Sequence, residues 1–117
     1  MKKIVVAISL VISTLSAQIY KVGDSVSDFS GSLCPEGNQT ISLYDYNGTE
    51  NGGNYHVVWL IFFNLTSRSC QLEAAYTQSI MAQFADAGLA TIGVGNGWRE
   101  TVECTDWKKL FGVTYPI

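Results

Sequence analysis

The chain has 117 residues, 47% of them hydrophobic and 15% charged, with a formal net charge of −3 at pH 7. That suffices for one small globular domain and no more. An acidic balance argues against nucleic acid as a partner, since such surfaces depend on clustered positive charge.

In chain order, the first element is a leader. Lys2 and Lys3 precede an uncharged apolar run from Ile4 to Leu15, and the small residues Ser16 and Ala17 follow. This charge, core and cleavage pattern predicts a secretory signal peptide over residues 1–17. The alternative is an uncleaved anchor, but the run is too short to span a bilayer comfortably. No cysteine follows the cleavage point, so a lipid-attached N-terminus is not indicated. Cleavage leaves a domain over residues 18–117 with 5 basic and 10 acidic residues, a net charge of −5. The expected location is periplasmic or secreted, with no stable membrane insertion after cleavage. Disulfides persist in such compartments. Three cysteines remain, Cys34, Cys70 and Cys104, and an odd count leaves one thiol free or pairs it outside the chain.

After an entry segment containing Gly23 and Asp24, the stretches Asp28 to Leu33 and Gln39 to Tyr46 read as two short strands of a hairpin. Between them, Cys34-Pro35-Glu36-Gly37-Asn38 is rich in turn residues. Asn47 to Asn54, with three glycines and three asparagines, reads as a flexible surface loop. Tyr55 to Phe63 is continuously apolar except for His56, which predicts a strand buried on both faces in a parallel sheet. From Cys70 to Ala87 the pattern turns helical: Leu72, Tyr76, Ile80 and Phe84 recur every fourth residue, and Gly88 supplies the stop. Leu89 to Val94 predicts a second buried strand, parallel to the first through a right-handed crossover. The glycine-rich run Gly93 to Gly97 lacks the spacing of a phosphate-binding loop and reads as a turn. A second helix is expected from about Glu100 to Phe111, ended by Gly112, and Val113 to Ile117 begins another extended segment.

The candidate chemistry lies where the first buried strand meets the first helix. A cysteine at a helix start faces unpaired backbone N–H groups and the positive end of the dipole, and Arg68 adds a fixed charge two residues before Cys70. Ser67 stands three residues earlier, where a C-x-x-C dithiol site would carry its partner cysteine.

These segments resemble the thioredoxin-like superfamily, in particular its redoxin branch, the alkyl hydroperoxide reductase/thiol-specific antioxidant (AhpC/TSA) family and related exported thioredoxins. The resemblance rests on Asp28-Phe29, on Ile41 to Gly48, on the strand running into Ser67 to Glu73, and on Phe111-Gly112-Val113-Thr114-Tyr115-Pro116. It implies an α/β thioredoxin-like fold with an N-terminal hairpin extension, truncated after the cis-proline loop and lacking the C-terminal hairpin and helix. An incomplete gene product, or a chain needing a partner to complete its sheet, is then expected, because the main strand would keep an open apolar edge.

The resemblance also implies roles. Cys70 is the reactive cysteine, with Ser67 and Arg68 beside it, and Thr66, Tyr115 and Pro116 border the substrate, Pro116 as the cis-proline facing the cysteine. The expected function is an exported thiol-disulfide oxidoreductase acting through Cys70, on a protein thiol or disulfide or on a peroxide, with an external thiol as reductant. Because Ser67 has no sulfur, a dithiol cycle within this motif is impossible. A peroxidase forming a Cys70 sulfenic acid is the alternative, with Ser67 donating to the thiolate or the peroxide. Phe63 stands where that pattern has proline, and Arg99 is the candidate for its additional arginine. A binding module without catalysis is the third reading.

Each residue also has a plainer role. Cys70 could be an inert half-buried thiol. Cys34 and Cys104 could bridge the hairpin to the second helix, or one of them could resolve an oxidised Cys70. Glu73 favours the first helical turn electrostatically. His56, without partners at metal-ligand spacing, reads as a core or strand-end residue, and no metal or cofactor is expected. Trp59, Trp98 and Trp107 read as packing residues.

Overall fold

The computed structural model describes residues 19–34, 39–98 and 101–117, with the backbone alone for 101–103. The leader, the Pro35 to Asn38 part of the first turn, and Arg99 lie outside the described residues. Strands β1 (Ser30–Ser32) and β2 (Thr40–Ser42) are followed by β3 (Val57–Asn64), helix α1 (Arg68–Phe84), β4 (Leu89–Asn96) and α2 (Thr101–Phe111). Among the described residues no helix is long and apolar enough to cross a membrane.

β1 and β2 form the expected antiparallel hairpin, with Ser30 opposite Ser42 and Ser32 opposite Thr40, but both strands are short. Polar side chains end β2 early. The Ser42 hydroxyl accepts from the Tyr44 N–H (3.1 Å) while the Asp45 carboxylate accepts from the Ser42 N–H (2.8 Å). This reciprocal cap turns Leu43–Tyr46 into a 3-10 helix instead of a continuing strand. The Asp28 carboxylate accepts from the Ser42 hydroxyl (2.7 Å) and the Tyr44 N–H (3.0 Å), tying the entry segment to this turn. The loop that follows is bonded within itself. Asn51 donates to the carbonyls of Asp45 (2.9 Å) and Asn54 (2.7 Å), and Gly53 donates to Gly48 (2.7 Å). Gly52 and Gly53 adopt φ of 81° and 99° there, conformations that favour glycine.

β3 and β4 pair in parallel, in register from Val57 with Leu89 to Asn64 with Asn96, and α1 makes the crossover. Gly88 at φ 92° ends the helical stretch after a short 3-10 turn at Ala85–Ala87. β4 runs two residues further than expected and takes in Gly93 and Gly95, so the glycine-rich run is largely strand and only its end turns. The reason is close packing. A Cβ on Gly95 would meet the rings of Trp98 and Phe63, and one on Gly93 would meet Ile117, Phe63 and Tyr115. Gly95→Ala is therefore expected to overpack the core and lower the unfolding free energy by about 1–3 kcal/mol, read from the urea midpoint.

Two expectations about burial fail. β3 is not covered on both faces, since Val57 is 70% and Phe62 72% exposed, and β4 is its one ladder partner among the described residues. The every-fourth-residue stripe of α1 points outward, leaving Leu72, Tyr76 and Phe84 exposed. The helix instead turns Cys70, Ala74, Thr77 and Met81 inward. Ala74 and Thr77 are buried on that face, with Cys70 and Met81 packed against the core.

The core gathers Phe63, Ala74, Trp107, Val113, Tyr115 and Ile117, with Cys70, Cys34 and Trp98 packed at its margin. Phe63 stacks on Trp107 (centroids 5.1 Å apart) and meets the edge of Trp98 (5.8 Å). Such aromatic pairs contribute about 0.5–1.5 kcal/mol each beyond the area they bury. His56 is exposed just before β3, edge-on to Tyr46 at 5.7 Å, a strand-end residue rather than a core one.

Candidate active site

The turn between β3 and α1 is built by Asn64. Its side-chain oxygen accepts from both the Thr66 N–H (2.8 Å) and the Thr66 hydroxyl (2.7 Å), and its carbonyl accepts from the Ser67 N–H (3.1 Å). Leu65 donates to the Asn96 carbonyl (3.1 Å), extending the parallel ladder one residue past β3. The chain is thereby delivered to Ser67 in a fixed direction. Asn-x-Thr after a strand is a pattern in which asparagine bonds the backbone two residues on.

Ser67 is the N-cap of α1, in extended conformation, and its hydroxyl oxygen accepts from the Cys70 N–H at 3.5 Å. The Ser67 carbonyl accepts from Gln71 (3.0 Å), the first helical bond. Helix α1 thus begins at Arg68, and Cys70 is its third residue rather than its first. A capping hydroxyl uses a lone pair and keeps its hydrogen, so Ser67 can still donate to a group at the cysteine. Cys70 is half-buried and is the one free thiol of the three cysteines. The first-turn N–H groups, unpaired within the helix, put the positive end of its dipole beside the sulfur. Arg68 and Glu73 are exposed. Thr66 is exposed too, with its hydroxyl hydrogen committed to Asn64.

Cys34 and Cys104 form a disulfide with Cα atoms 6.0 Å apart, joining the end of β1 to α2, a separation ordinary for such bonds. Neither is then a free thiol able to resolve a Cys70 adduct.

The segment from Val113 to Ile117 runs between α1 and β4: Gln78 of α1 donates to the Thr114 hydroxyl (2.9 Å) and accepts from the Thr114 N–H (2.8 Å). Val57 donates to Gly88 and Leu65 to Asn96, so the even-numbered backbone groups of β4 face β3 and the odd-numbered ones face the opposite edge. Gly93 is odd, and its N–H donates to the Pro116 carbonyl (2.8 Å). Pro116 therefore lies along the outer edge of β4, on the side away from the strand that leads to Cys70. The Ile117 carbonyl accepts from the Cys34 N–H (2.8 Å), so the segment bridges β4 to the hairpin. Tyr115 is buried in the core at 4% exposure, and burial raises its phenol above the ordinary value. A short extended segment joins whichever edge offers unpaired backbone groups, a choice invisible in its own residues. No cluster of metal-ligating residues occurs among the described residues.

No family model matches the chain, and no curated protein sequence matches it. Among solved structures it is similar to the thioredoxin domain of a thiol-disulfide oxidoreductase from Bacteroides vulgatus. The TM-score is 0.65 at 17% sequence identity, over 84% of this chain and 63% of that one. The strand-helix-strand-helix unit with its thiol at the head of α1 is a thioredoxin-like α/β fold. The chain spans less than two thirds of the length of that neighbour.

Proposed function

We propose that this chain is an exported thiol-disulfide oxidoreductase of the redoxin, AhpC/TSA-like type that works through Cys70 as a single thiol. The observation that carries this reading is the placement of the one free cysteine in the first turn of the helix that follows a parallel strand. The other two sulfurs are bonded to each other. The name of the Bacteroides vulgatus neighbour is consistent with it, as are the leader pattern of residues 1–17 and the acidic mature charge. Location in the periplasm or outside the cell follows from that leader.

The chemistry is thiol exchange. The Cys70 sulfur, as thiolate, attacks one sulfur of a partner disulfide; the new S–S bond forms as the old one breaks, and the partner's second sulfur leaves as thiolate. The Ser67 hydroxyl, which keeps its hydrogen, can donate to the attacking sulfur. No second sulfur stands at position 67, so the mixed disulfide persists until an external thiol attacks it and restores Cys70.

Non-reducing peptide mass spectrometry checks this directly. Incubated with a small aromatic disulfide, the protein is expected to carry the adduct on the peptide containing Cys70, leaving the Cys34–Cys104 peptide pair intact, and Cys70→Ser is expected to carry none. An inert Cys70 sinks the proposal and leaves a binding module. Sulfenic acid at Cys70 with stoichiometric loss of hydrogen peroxide, and no disulfide adduct, assigns the peroxidase chemistry instead.

A further inference from the structure

A cavity of about 490 Å³ lies between the hairpin and β4. The hairpin contributes Ser32 and Ile41 to its lining and β4 contributes Ile92 and Val94, and the bridged Cys34 and Cys104 line it as well. Cys34 is half-buried and Cys104 is buried, so Cys34 is the more accessible end of the disulfide. Access decides how such a bond is reduced. A bridge sealed in a core waits for the chain to open, whereas one that borders a cavity meets thiols in the native state. A single water needs about 10–15 Å³, so a thiol of a few heavy atoms enters this space easily. The hairpin is otherwise held lightly. Cys34 is its one residue packed against the core, β1 shares no ladder with β4, and the Cys34 N–H donates to the Ile117 carbonyl (2.8 Å).

We propose that this cavity admits a low-molecular-weight thiol to the Cys34–Cys104 bridge of the folded protein, so that Cys34 is a second exchange site and the bridge a latch whose reduction frees the hairpin from β4. The incoming thiolate attacks the Cys34 sulfur. A new S–S bond forms as the bond to Cys104 breaks, and Cys104 leaves as thiolate and takes a proton from water. A second thiolate then attacks the added sulfur and releases Cys34, which is protonated in turn. Two thiols are thereby oxidised to one small disulfide while the bridge takes up two electrons. Cys70 takes no part in these steps. Once the bridge is open, the walls of the cavity, which lack contact with each other, have little to hold them together. The hairpin keeps its own ladder, from Ser30 with Ser42 to Ser32 with Thr40, and the Asp28 bond to the Ser42 hydroxyl. It therefore detaches as a unit.

The test exposes the full chain to 2-mercaptoethanol, quenches with iodoacetamide at intervals, and follows the peptides of Cys34 and Cys104 by mass. Below the unfolding transition the rate is expected to be nearly independent of urea, with the transient adduct on Cys34. Reduction through global unfolding would instead speed up at least about fivefold per molar urea, and that result overturns the proposal. Ser32→Phe, which fills the cavity from β1, is expected to slow reduction about tenfold. Glu50→Phe, on the exposed loop outside the lining, should leave the rate unchanged. A Ser32→Phe rate equal to the wild type means that the thiol does not arrive through the cavity. Amide hydrogen exchange on the reduced, alkylated protein reads the latch. Protection is expected to fall across Ser30 to Ser42 and to persist in β3 and β4. Loss throughout the chain, or no change in the hairpin, overturns the latch.

Discussion

Cys34→Ser, or equally Cys104→Ser, is expected to lower the unfolding free energy by about 4 kcal/mol. The two cysteines are 70 residues apart in sequence, and a cross-link of that span removes roughly this much chain entropy from the unfolded state. For a domain of this size, with total stability on the order of 5–15 kcal/mol, the loss decides whether the fold survives. The position of the bridge adds to its weight. The hairpin and the β3–β4 pair are separate two-stranded sheets. The disulfide and the Cys34 to Ile117 hydrogen bond hold one to the other. Urea unfolding of the wild type with and without reductant, beside the two serine variants, measures the effect. Reduction should move the wild-type midpoint to that of the variants and leave theirs unchanged. A midpoint that reductant does not move would show that the bridge contributes nothing.

Ser67→Cys is expected to convert a protein that retains its mixed disulfide into one that releases its substrate. The N-cap of α1 is three residues from Cys70, on the same first turn. A thiol there meets the adduct at an effective concentration on the order of millimolar or above, without diffusion. It attacks the Cys70 sulfur, closes a disulfide within the turn and expels the substrate thiol. Serine is a far better cap than cysteine, so the substitution costs about 1 kcal/mol of stability. The fold should tolerate that while the Cys34–Cys104 bridge is intact. Adduct lifetime after removal of free disulfide, followed by mass, provides the measurement. The wild-type adduct should persist in the absence of added thiol and that of the variant should vanish, leaving a protein two hydrogens lighter. A persistent adduct in both would mean that the turn holds position 67 away from the sulfur.

The exposed groups also have a common pattern. Val57 and Phe62 on β3 and Leu72, Tyr76 and Phe84 on α1 are apolar and face solvent. They belong to the unit that carries the thiol, whereas the core is built on the side of α2 and the Pro116 segment. The cysteine turn therefore stands where a well-packed core meets an uncovered apolar surface, and Cys70 is accordingly half-buried.

Local chemistry made the order of elements legible. Serine and cysteine at the head of α1, glycine at 88 and 112, the apolar run of β3 and the turn residues between β1 and β2 each act within a few residues of chain. The hairpin, the parallel pair and both helices accordingly fall within a few residues of where their patterns put them. The single reactive-cysteine candidate was legible for the same reason, since a capping serine and a first-turn thiol are neighbours in sequence. Long-range contact decided the rest. Leu72, Tyr76, Ile80 and Phe84 have the spacing of a buried face, yet only the position of the sheet determines which side of a helix is covered, and it covers Ala74 and Thr77. Gly93 and Gly95 become strand because Phe63, Trp98 and Ile117 crowd against them. Pro116 meets the outer edge of β4 through Gly93, and Thr114 meets α1 through Gln78, contacts far apart in sequence. The bridge between Cys34 and Cys104, and with it the freedom of Cys70, depends on α2 returning to the hairpin.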